Sequence, residues 1–365
     1  AAPAPAVRAS SPVGKPSDPE DTLAGVQAAG PLFRPWRSSS YSSIARGFEL
    51  SLPGPADERE PDESYEEEPE GEEEPSGPDP LHNPAFLSGG KDTGDAVHNL
   101  LEAGIRAGLH RSPGFLESGR GFRRVFEATK GASLLARKVR RGEGAESDPK
   151  KDREDAVSWL SDRIRGVFST PLWAGPGALR IADVPEGCAA PELPFALTVG
   201  EGVTAEGFAR KILELNRKVP AEARLPLADL EPSAARTQLR GYLEGRIDLL
   251  VQDASGRFWL ADWKTDQPGD RSSRSYVRRE MLEVMLEAKY GWQALFYLTA
   301  LSRMISEAWG LEPEKAVKRI GGMAYVFARG FSAAAPAPEP AAVVLRPDPR
   351  LILESGRLLG GERTK

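Results

Sequence analysis

Two strand-like runs separated by a short turn constrain this chain more than any other feature. Residues 243–252 are LEGRIDLLVQ and residues 257–264 are RFWLADWK, with Asp-Ala-Ser-Gly between them. Apolar, β-branched and aromatic residues on both sides of such a turn predict a β-hairpin. Neither run alternates cleanly between apolar and polar residues, so we expect both strands to lie inside a central sheet.

Three charged residues interrupt the apolar runs of this hairpin. Asp248 lies in the first run, and Asp262 and Lys264 lie near the end of the second. A four-residue turn places Asp262 almost opposite Ile247 and Asp248, and residues two apart on a strand share a face. Buried carboxylates are costly unless something pairs them. The residues alone leave two alternatives, a structural Asp–Lys ion pair or a site for Mg²⁺ or Mn²⁺ held by both carboxylates.

Helical and strand-like patterns alternate along much of the remaining chain. Helices are predicted for 97–109, most of 114–170, 205–216 and 276–309, the last as one long helix or a helix pair. Further strands are predicted around 192–197, 321–330 and 343–347. Helices mixed with a few strands indicate an α/β or α+β class.

Composition divides the chain into five segments. Residues 1–32 are rich in Ala and Pro and are predicted to be a disordered linker or tail. Residues 33–51 are expected to pack on the main domain, with a Ser cluster suited to a helix N-cap. An acidic, disordered insert is predicted for 52–90, the main domain for 91–350 and a C-terminal tail for 351–365.

The formal net charge of −6 hides an uneven distribution of charge. Residues 57–79 contain thirteen Asp or Glu and one Arg, a local charge of −12, so the rest of the chain carries +6. The acidic total therefore does not exclude a nucleic-acid partner.

A single cysteine, Cys188, excludes a disulfide framework, a Cys-ligated zinc site and a four-Cys iron–sulfur cluster. The sequence contains no apolar run of membrane-spanning length and no signal-peptide layout. We expect a cytoplasmic protein without a membrane partner, and a chain that is either a piece of a longer one or a processed one.

Five motifs resemble, in chain order, those of the RecB-type nuclease domains of the PD-(D/E)xK nuclease superfamily. They are GDAVHNLLE at 94–102, GYLEGRIDLLV at 241–251, LADWKTD at 260–266, YGWQALFYLTAL at 290–301 and GGMAYVFARG at 321–330. The resemblance implies a metal-dependent deoxyribonuclease. It also implies an α/β, restriction-endonuclease-like core, in which helices flank a small mixed central sheet, with an N-terminal helical portion.

The resemblance also implies a role for each residue of the site. Asp248, Asp262 and Lys264 would be catalytic, with Lys264 positioning or activating the attacking water. His98, Asp248, Asp262 and the backbone carbonyl of Trp263 would bind the metal, and Glu192 is a further candidate ligand. Mg²⁺ is the expected cofactor and Mn²⁺ an alternative, whereas Ca²⁺ is expected to bind without supporting cleavage.

By the same resemblance, Gln293 and Tyr297 would contact a DNA strand near the scissile phosphate. The substrate would be single strands from an unwound duplex, cut during the repair of double-strand breaks. The implied partners are a helicase portion of the same longer chain, RecC- and RecD-like subunits, and RecA. Two alternatives stay open, a catalytically silent scaffold and a module that docks a recombinase.

Overall fold

A computed structural model of the protein describes residues 38–40, 91–129, 149–175, 177–229, 241–269 and 275–360. The predicted tail 1–32 and the acidic insert 52–90 lie outside these ranges, as does the 33–51 segment except for 38–40. In the part that is described, no helix is long and apolar enough to cross a membrane.

Six strands of the described chain form one mixed sheet. They are β1 (Ser38–Ser40), β2 (Ala189–Val199), β3 (Gly241–Gln252), β4 (Phe258–Lys264), β5 (Ile320–Phe327) and β6 (Ala342–Leu345). Strand β3 pairs with antiparallel β2 along one edge, and with parallel β1 and then antiparallel β4 along the other. Strand β5 continues the sheet in parallel with β4, and β6 closes it in antiparallel orientation. The predicted mixed central sheet is confirmed.

The predicted hairpin is the pair β3–β4, and the Asp253 carboxylate organises its turn. It accepts hydrogen bonds from the backbone N–H of Ser255 at 2.8 Å and of Arg257 at 3.0 Å, and from Trp259 Nε1 at 2.8 Å. Across the hairpin, Leu249 pairs with Ala261. Continued by one residue, this register places Asp248 opposite Asp262, which is one of the two positions predicted for Asp262 from the turn.

Helices pack around the sheet, and several of them precede β2 in the chain. They are α1 (Lys91–Arg106), α2 (Pro113–Ser118), α3 (Phe122–Ala128), α4 (Pro149–Ser169), α5 (Ala205–Lys218), α6 (Arg278–Glu287), α7 (Tyr290–Trp309), α8 (Pro313–Ala316) and α9 (Pro349–Leu359). The 276–309 region is the predicted helix pair, broken at Lys289, whose φ of +56° is left-handed. Every residue from 291 to 302 of α7 is buried, as expected of a helix inside a core.

Helices α1 to α4 form the predicted N-terminal helical portion around a row of phenylalanines. Ring centroids of Phe115, Phe122 and Phe126 follow one another at 6.0 and 6.2 Å, and Phe168 of α4 lies 6.2 Å from Phe115. Each ring is almost fully buried. Burying a Phe side chain contributes about 1.5–3 kcal/mol, so this row supplies much of the energy that fixes α2 and α3 against α4.

The C-terminal boundary differs from the prediction of a tail at 351–365. The Asp348 side chain caps α9 by accepting from the Arg350 N–H at 2.9 Å, and Pro349 occupies the first helical position. Leu351, Ile352 and Leu359 are buried on one face of α9. Residues 351–359 therefore belong to the domain, because their apolar residues recur at helical spacing and pack on α7 and α5.

The Ser cluster at 38–40 differs from the predicted helix N-cap. These residues form strand β1, which pairs in parallel with 242–244 of β3. Strand β4 pairs only with 249–252 of β3, so β3 offers unpaired backbone groups to β1 further along the same edge.

Candidate metal-binding active site

The hairpin brings two carboxylates together at one point of the sheet. Asp248 and Asp262 are 9% and 2% exposed. The Trp263 N–H of β4 donates to Asp248 Oδ2 at 2.7 Å, which fixes the Asp248 carboxylate against the neighbouring strand. Two carboxylates buried this closely require positive charge beside them, since each raises the cost of ionising the other.

Lys264 supplies part of that positive charge. Its Nζ lies 2.7 Å from Asp262 Oδ1, and the two residues share a face of β4. Burial lowers the pKa of Lys264, but the Asp262 charge outweighs this effect and holds the pKa well above its usual range. Lys264 is therefore an ammonium, as the ion-pair interpretation of the sequence requires.

The lysine does not fully neutralise the pair. The pKa of Asp262 is raised to about 6 overall, because burial, together with the Asp248 charge, raises it more than Lys264 lowers it. A divalent cation next to Asp262 would favour its ionised form. The ion pair and a metal site are therefore compatible here.

Helix α1 contributes His98 from the N-terminal portion. His98 Nδ1 lies 3.3 Å from Asp248 Oδ2, and the side chain is 33% exposed. Burial lowers the pKa of His98, but the Asp248 carboxylate more than compensates, so the pKa is raised overall. Apolar residues of α1 hold this position, because Val97 and Leu101 on either side of His98 are buried.

Strand β2 contributes Glu192 through an irregularity in its pairing with β3. Its neighbours Pro191 and Leu193 pair with Leu249 and Ile247, and Glu192 itself has a left-handed φ of +54°. Burial and the Asp248 charge raise the pKa of Glu192. Its Oε2 lies 3.3 Å from Arg246 Nη1, an ion pair at the edge of the site.

These side chains form a candidate ligand set for a divalent cation. His98, Glu192 and Asp248 each offer one ligand atom, and the three atoms lie within 4.8 Å of one another. Asp262 faces Asp248 from β4. Carboxylate oxygens with one imidazole are donors that suit Mg²⁺ and Mn²⁺.

Gln293 and Tyr297 lie beside the site but are largely buried, at 8% and 6% exposure. Gln293 Oε1 accepts from Lys264 Nζ at 3.4 Å, and Gln293 Nε2 donates to the Tyr297 hydroxyl at 3.2 Å. The Tyr297 ring packs edge-on against Phe195 at 5.2 Å. The structure therefore connects both residues to Lys264, while their contact with DNA stays a prediction, as does a metal bond from the Trp263 carbonyl.

Three residues beside the site were not singled out from the sequence. Arg246 reaches Glu192, and the rings of Tyr290 and Tyr325 lie next to Lys264. Arg246 could have been found, because it precedes Asp248 by two positions and so shares its strand face. Tyr290 and Tyr325 lie within the quoted motifs, but only tertiary packing brings their rings to the lysine.

Comparison with known proteins gives a family match that includes the site. A family model described as the PD-(D/E)XK nuclease superfamily matches residues 81–348. The RecBCD enzyme subunit RecB of Mycobacterium tuberculosis is 35% identical over 97 residues, which are 27% of this chain and 9% of that protein. The corresponding subunit of Haemophilus influenzae is 27% identical over 201 residues, 55% of this chain and 15% of that protein. The chain thus spans a small fraction of the length of these relatives.

Proposed function

This chain belongs to the PD-(D/E)XK nuclease superfamily, and on that premise we propose that it is a Mg²⁺-dependent deoxyribonuclease that hydrolyses phosphodiester bonds in single-stranded DNA. The observation that carries the proposal is the meeting of Asp248, Asp262 and Lys264 at one point of the β3–β4 hairpin. A metal-dependent nuclease can use a pair of carboxylates to bind the metal and a neighbouring cation to act on water and phosphate, and these residues offer both.

The metal would be held by Asp248 and Asp262 from the hairpin and by His98 from α1. Glu192 and the Trp263 carbonyl complete the proposed ligand set. When bound, a divalent cation polarises the phosphate and lowers the pKa of a bound water. Asp248 would keep its orientation through the hydrogen bond that it accepts from the Trp263 N–H at 2.7 Å.

Lys264 would act on the water and on the phosphate rather than on the metal. An ammonium has three donors and no lone pair, so it cannot be a ligand. Held 2.7 Å from Asp262 Oδ1, it would orient the attacking water and offset charge that develops on the phosphate oxygens.

The biological setting is proposed from the relatives. Similarity to RecB subunits of RecBCD enzymes supports a role in processing double-strand breaks, with the helicase portion elsewhere in a longer protein. RecC- and RecD-like subunits would be its partners and RecA a further one, in the cytoplasm. The +6 charge outside residues 57–79 supports binding to DNA phosphates.

Substitution of Asp262 tests the proposal. Asp262→Asn keeps the shape of the side chain but removes its charge, so cleavage of single-stranded DNA in Mg²⁺ should fall by about three orders of magnitude or more. The matched control is Asp183→Asn, which changes an exposed carboxylate paired with Arg180 and should cleave like the unsubstituted protein.

DNA binding in Ca²⁺ separates the alternatives. If Asp262 serves catalysis, Asp262→Asn and the control Asp183→Asn should bind DNA in Ca²⁺ with similar affinity. Absence of cleavage in both the unsubstituted protein and Asp262→Asn would favour the silent-scaffold alternative, whereas equally strong cleavage by both would show that Asp262 does not belong to the catalytic site. Retention of RecA by Asp262→Asn would reveal a docking role in addition to cleavage.

A further inference from the structure

The ammonium of Lys264 lies over an aromatic ring inside the protein. Its Nζ is 3.8 Å from the centroid of the Tyr290 ring and 5.5 Å from that of Tyr325. The Lys264 side chain is 13% exposed, so protein groups replace most of its water. A cation within about 6 Å of a ring centroid is attracted by the ring quadrupole, and the attraction is largest where water is excluded.

Hydrogen bonds and stacking hold both rings in place. Tyr290 and Tyr325 stack with centroids 5.4 Å apart and planes inclined by 10°. The Tyr290 hydroxyl donates to the Asp266 carboxylate, 3.2 Å from Oδ1. The Tyr325 hydroxyl lies 2.7 Å from the Tyr290 carbonyl oxygen and 3.0 Å from Gln293 Oε1. Each ring is thus fixed at its hydroxyl end and by the other ring, and the pair forms a rigid wall beside Lys264.

Two polar groups contact the same ammonium as the tyrosine rings. Asp262 Oδ1 lies 2.7 Å from Lys264 Nζ, and Gln293 Oε1 lies 3.4 Å from it. Lysine carries its charge on a flexible four-carbon stem, so a single carboxylate leaves several orientations open. The Tyr290 ring disfavours some of these orientations. In them the Lys264 ammonium would lose its cation–π attraction, and the site holds little water to replace it.

We propose that Tyr290, supported by Tyr325, is the positioning residue that holds the Lys264 ammonium in its place beside Asp262. The proposal rests on the proposed function, in which Lys264 acts on the water and the phosphate. Tyr290 touches neither substrate nor metal in this role. It raises the fraction of molecules in which Lys264 is correctly placed, so its loss should lower kcat and leave the binding of DNA and metal unchanged.

Two substitutions of Tyr290 separate its ring from its hydroxyl. Tyr290→Leu removes the aromatic face and should lower kcat about 10- to 30-fold, the size expected for a desolvated cation–π contact. Tyr290→Phe keeps the face and loses the bond to Asp266, so it should lose less than about threefold. KM for single-stranded DNA and the affinity for Mn²⁺ should stay within about twofold of the unsubstituted protein in both variants.

A fluorinated series keeps the test independent of folding. Phenylalanine with one, three or five ring fluorines at position 290 has nearly the shape of Tyr290→Phe but a progressively weaker ring quadrupole. The value of kcat should then fall with each increase in the number of fluorines, while the midpoint of thermal unfolding stays constant. A purely structural role for the ring would give constant kcat along this series.

A double-substitution cycle identifies Lys264 as the group through which Tyr290 acts. In a Lys264→Ala background, Tyr290→Leu should cause no further loss of the residual cleavage, whereas independent roles would give losses that multiply. Failure of the proposed function is distinguishable, because the unsubstituted protein itself would then show no cleavage that Asp262→Asn removes. Cleavage by the unsubstituted protein, combined with equal kcat in Tyr290→Leu and Tyr290→Phe, would overturn the positioning role alone.

Discussion

Glu192 faces Asp248 across β2 and β3, and it does so in a backbone conformation that side chains disfavour. The pairs on either side of it, Pro191 with Leu249 and Leu193 with Ile247, fix this position. A non-glycine residue in the left-handed region costs about 1–2 kcal/mol, and here the φ is +54°. The fold therefore keeps a carboxylate at a strained position beside a second carboxylate, which suits a ligand more than a packing residue.

Two substitutions of Glu192 should separate strain from ligation. Glu192→Gly relieves the backbone, so its free energy of unfolding should exceed that of Glu192→Ala by about 1 kcal/mol, measured in urea. Both variants lack the carboxylate and should bind Mn²⁺ about equally weakly, measured by titration calorimetry. Equal stability of the two variants would show that the conformation stores no strain.

His110 should make the domain sensitive to acid. It is 3% exposed beside the Phe168 ring, and burial, with the Arg111 charge, lowers its pKa to about 4. Because the unfolded His110 keeps a pKa near 6.5, the unfolded state binds more protons between these values. Stability is therefore lost as the pH falls from about 6.5 to 4, by up to about 1.4 kcal/mol per pH unit.

The variant His110→Leu checks this pH dependence. It cannot titrate at position 110, so its free energy of unfolding should fall less steeply than that of the unsubstituted protein between pH 6.5 and 4. Urea unfolding at several pH values gives both slopes, and other titrating groups cancel in the comparison. Parallel slopes would mean that His110 takes up its proton in the folded state as easily as in the unfolded one.

Two helical glycines should respond oppositely to the same substitution. A Cβ at Gly291 of α7 would lie 2.1 Å from the Pro226 carbonyl oxygen, whereas one at Gly356 of α9 would meet only Thr299 Cγ2, at 3.8 Å. Gly291→Ala should therefore destabilise the fold by about 1–3 kcal/mol or more. Gly356→Ala should be neutral or stabilising by up to about 1 kcal/mol, because Ala favours a helix. Thermal and urea unfolding give both values, and a Gly291→Ala protein as stable as Gly356→Ala would contradict the close approach.

The acidic segment should compete with DNA. Residues 57–79 carry a charge of −12, against +6 for the rest of the chain. Deleting 56–79 should tighten binding to single-stranded DNA at low salt, and the gain should shrink as salt screens the charges. Replacing its Asp and Glu by Asn and Gln keeps the length and should reproduce the effect. Unchanged affinity in both proteins, measured by fluorescence anisotropy in Ca²⁺, would show that the segment does not reach the DNA.

Local features of the site could be predicted from the sequence, and features that depend on distant packing could not. The pairing of Asp248 with Asp262 depends on the short turn between β3 and β4, so counting from the turn places it to within one residue. His98 comes from a helix about 150 residues before the hairpin, and only the family resemblance indicates it. The left-handed Glu192 and the contact of Tyr290 with Lys264 have no periodic signal, because tertiary packing decides both. The domain end was placed too early, since α9 is a short helix whose start depends on the Asp348 cap.

The Asp253 turn has a consequence for how this domain can vary during evolution. Side chains alternate between the faces of a strand, so a one-residue shift of β4 against β3, caused by a residue inserted or lost in the turn, would move Asp262 to the opposite face of the sheet from Asp248. The sheet could absorb such a slip, but the site could not. Selection for activity should therefore tolerate exchange of residues 254 and 255 while holding the number of residues between Asp248 and Asp262 constant. Lineages in which that number drifts are where inactive copies of the domain should be sought.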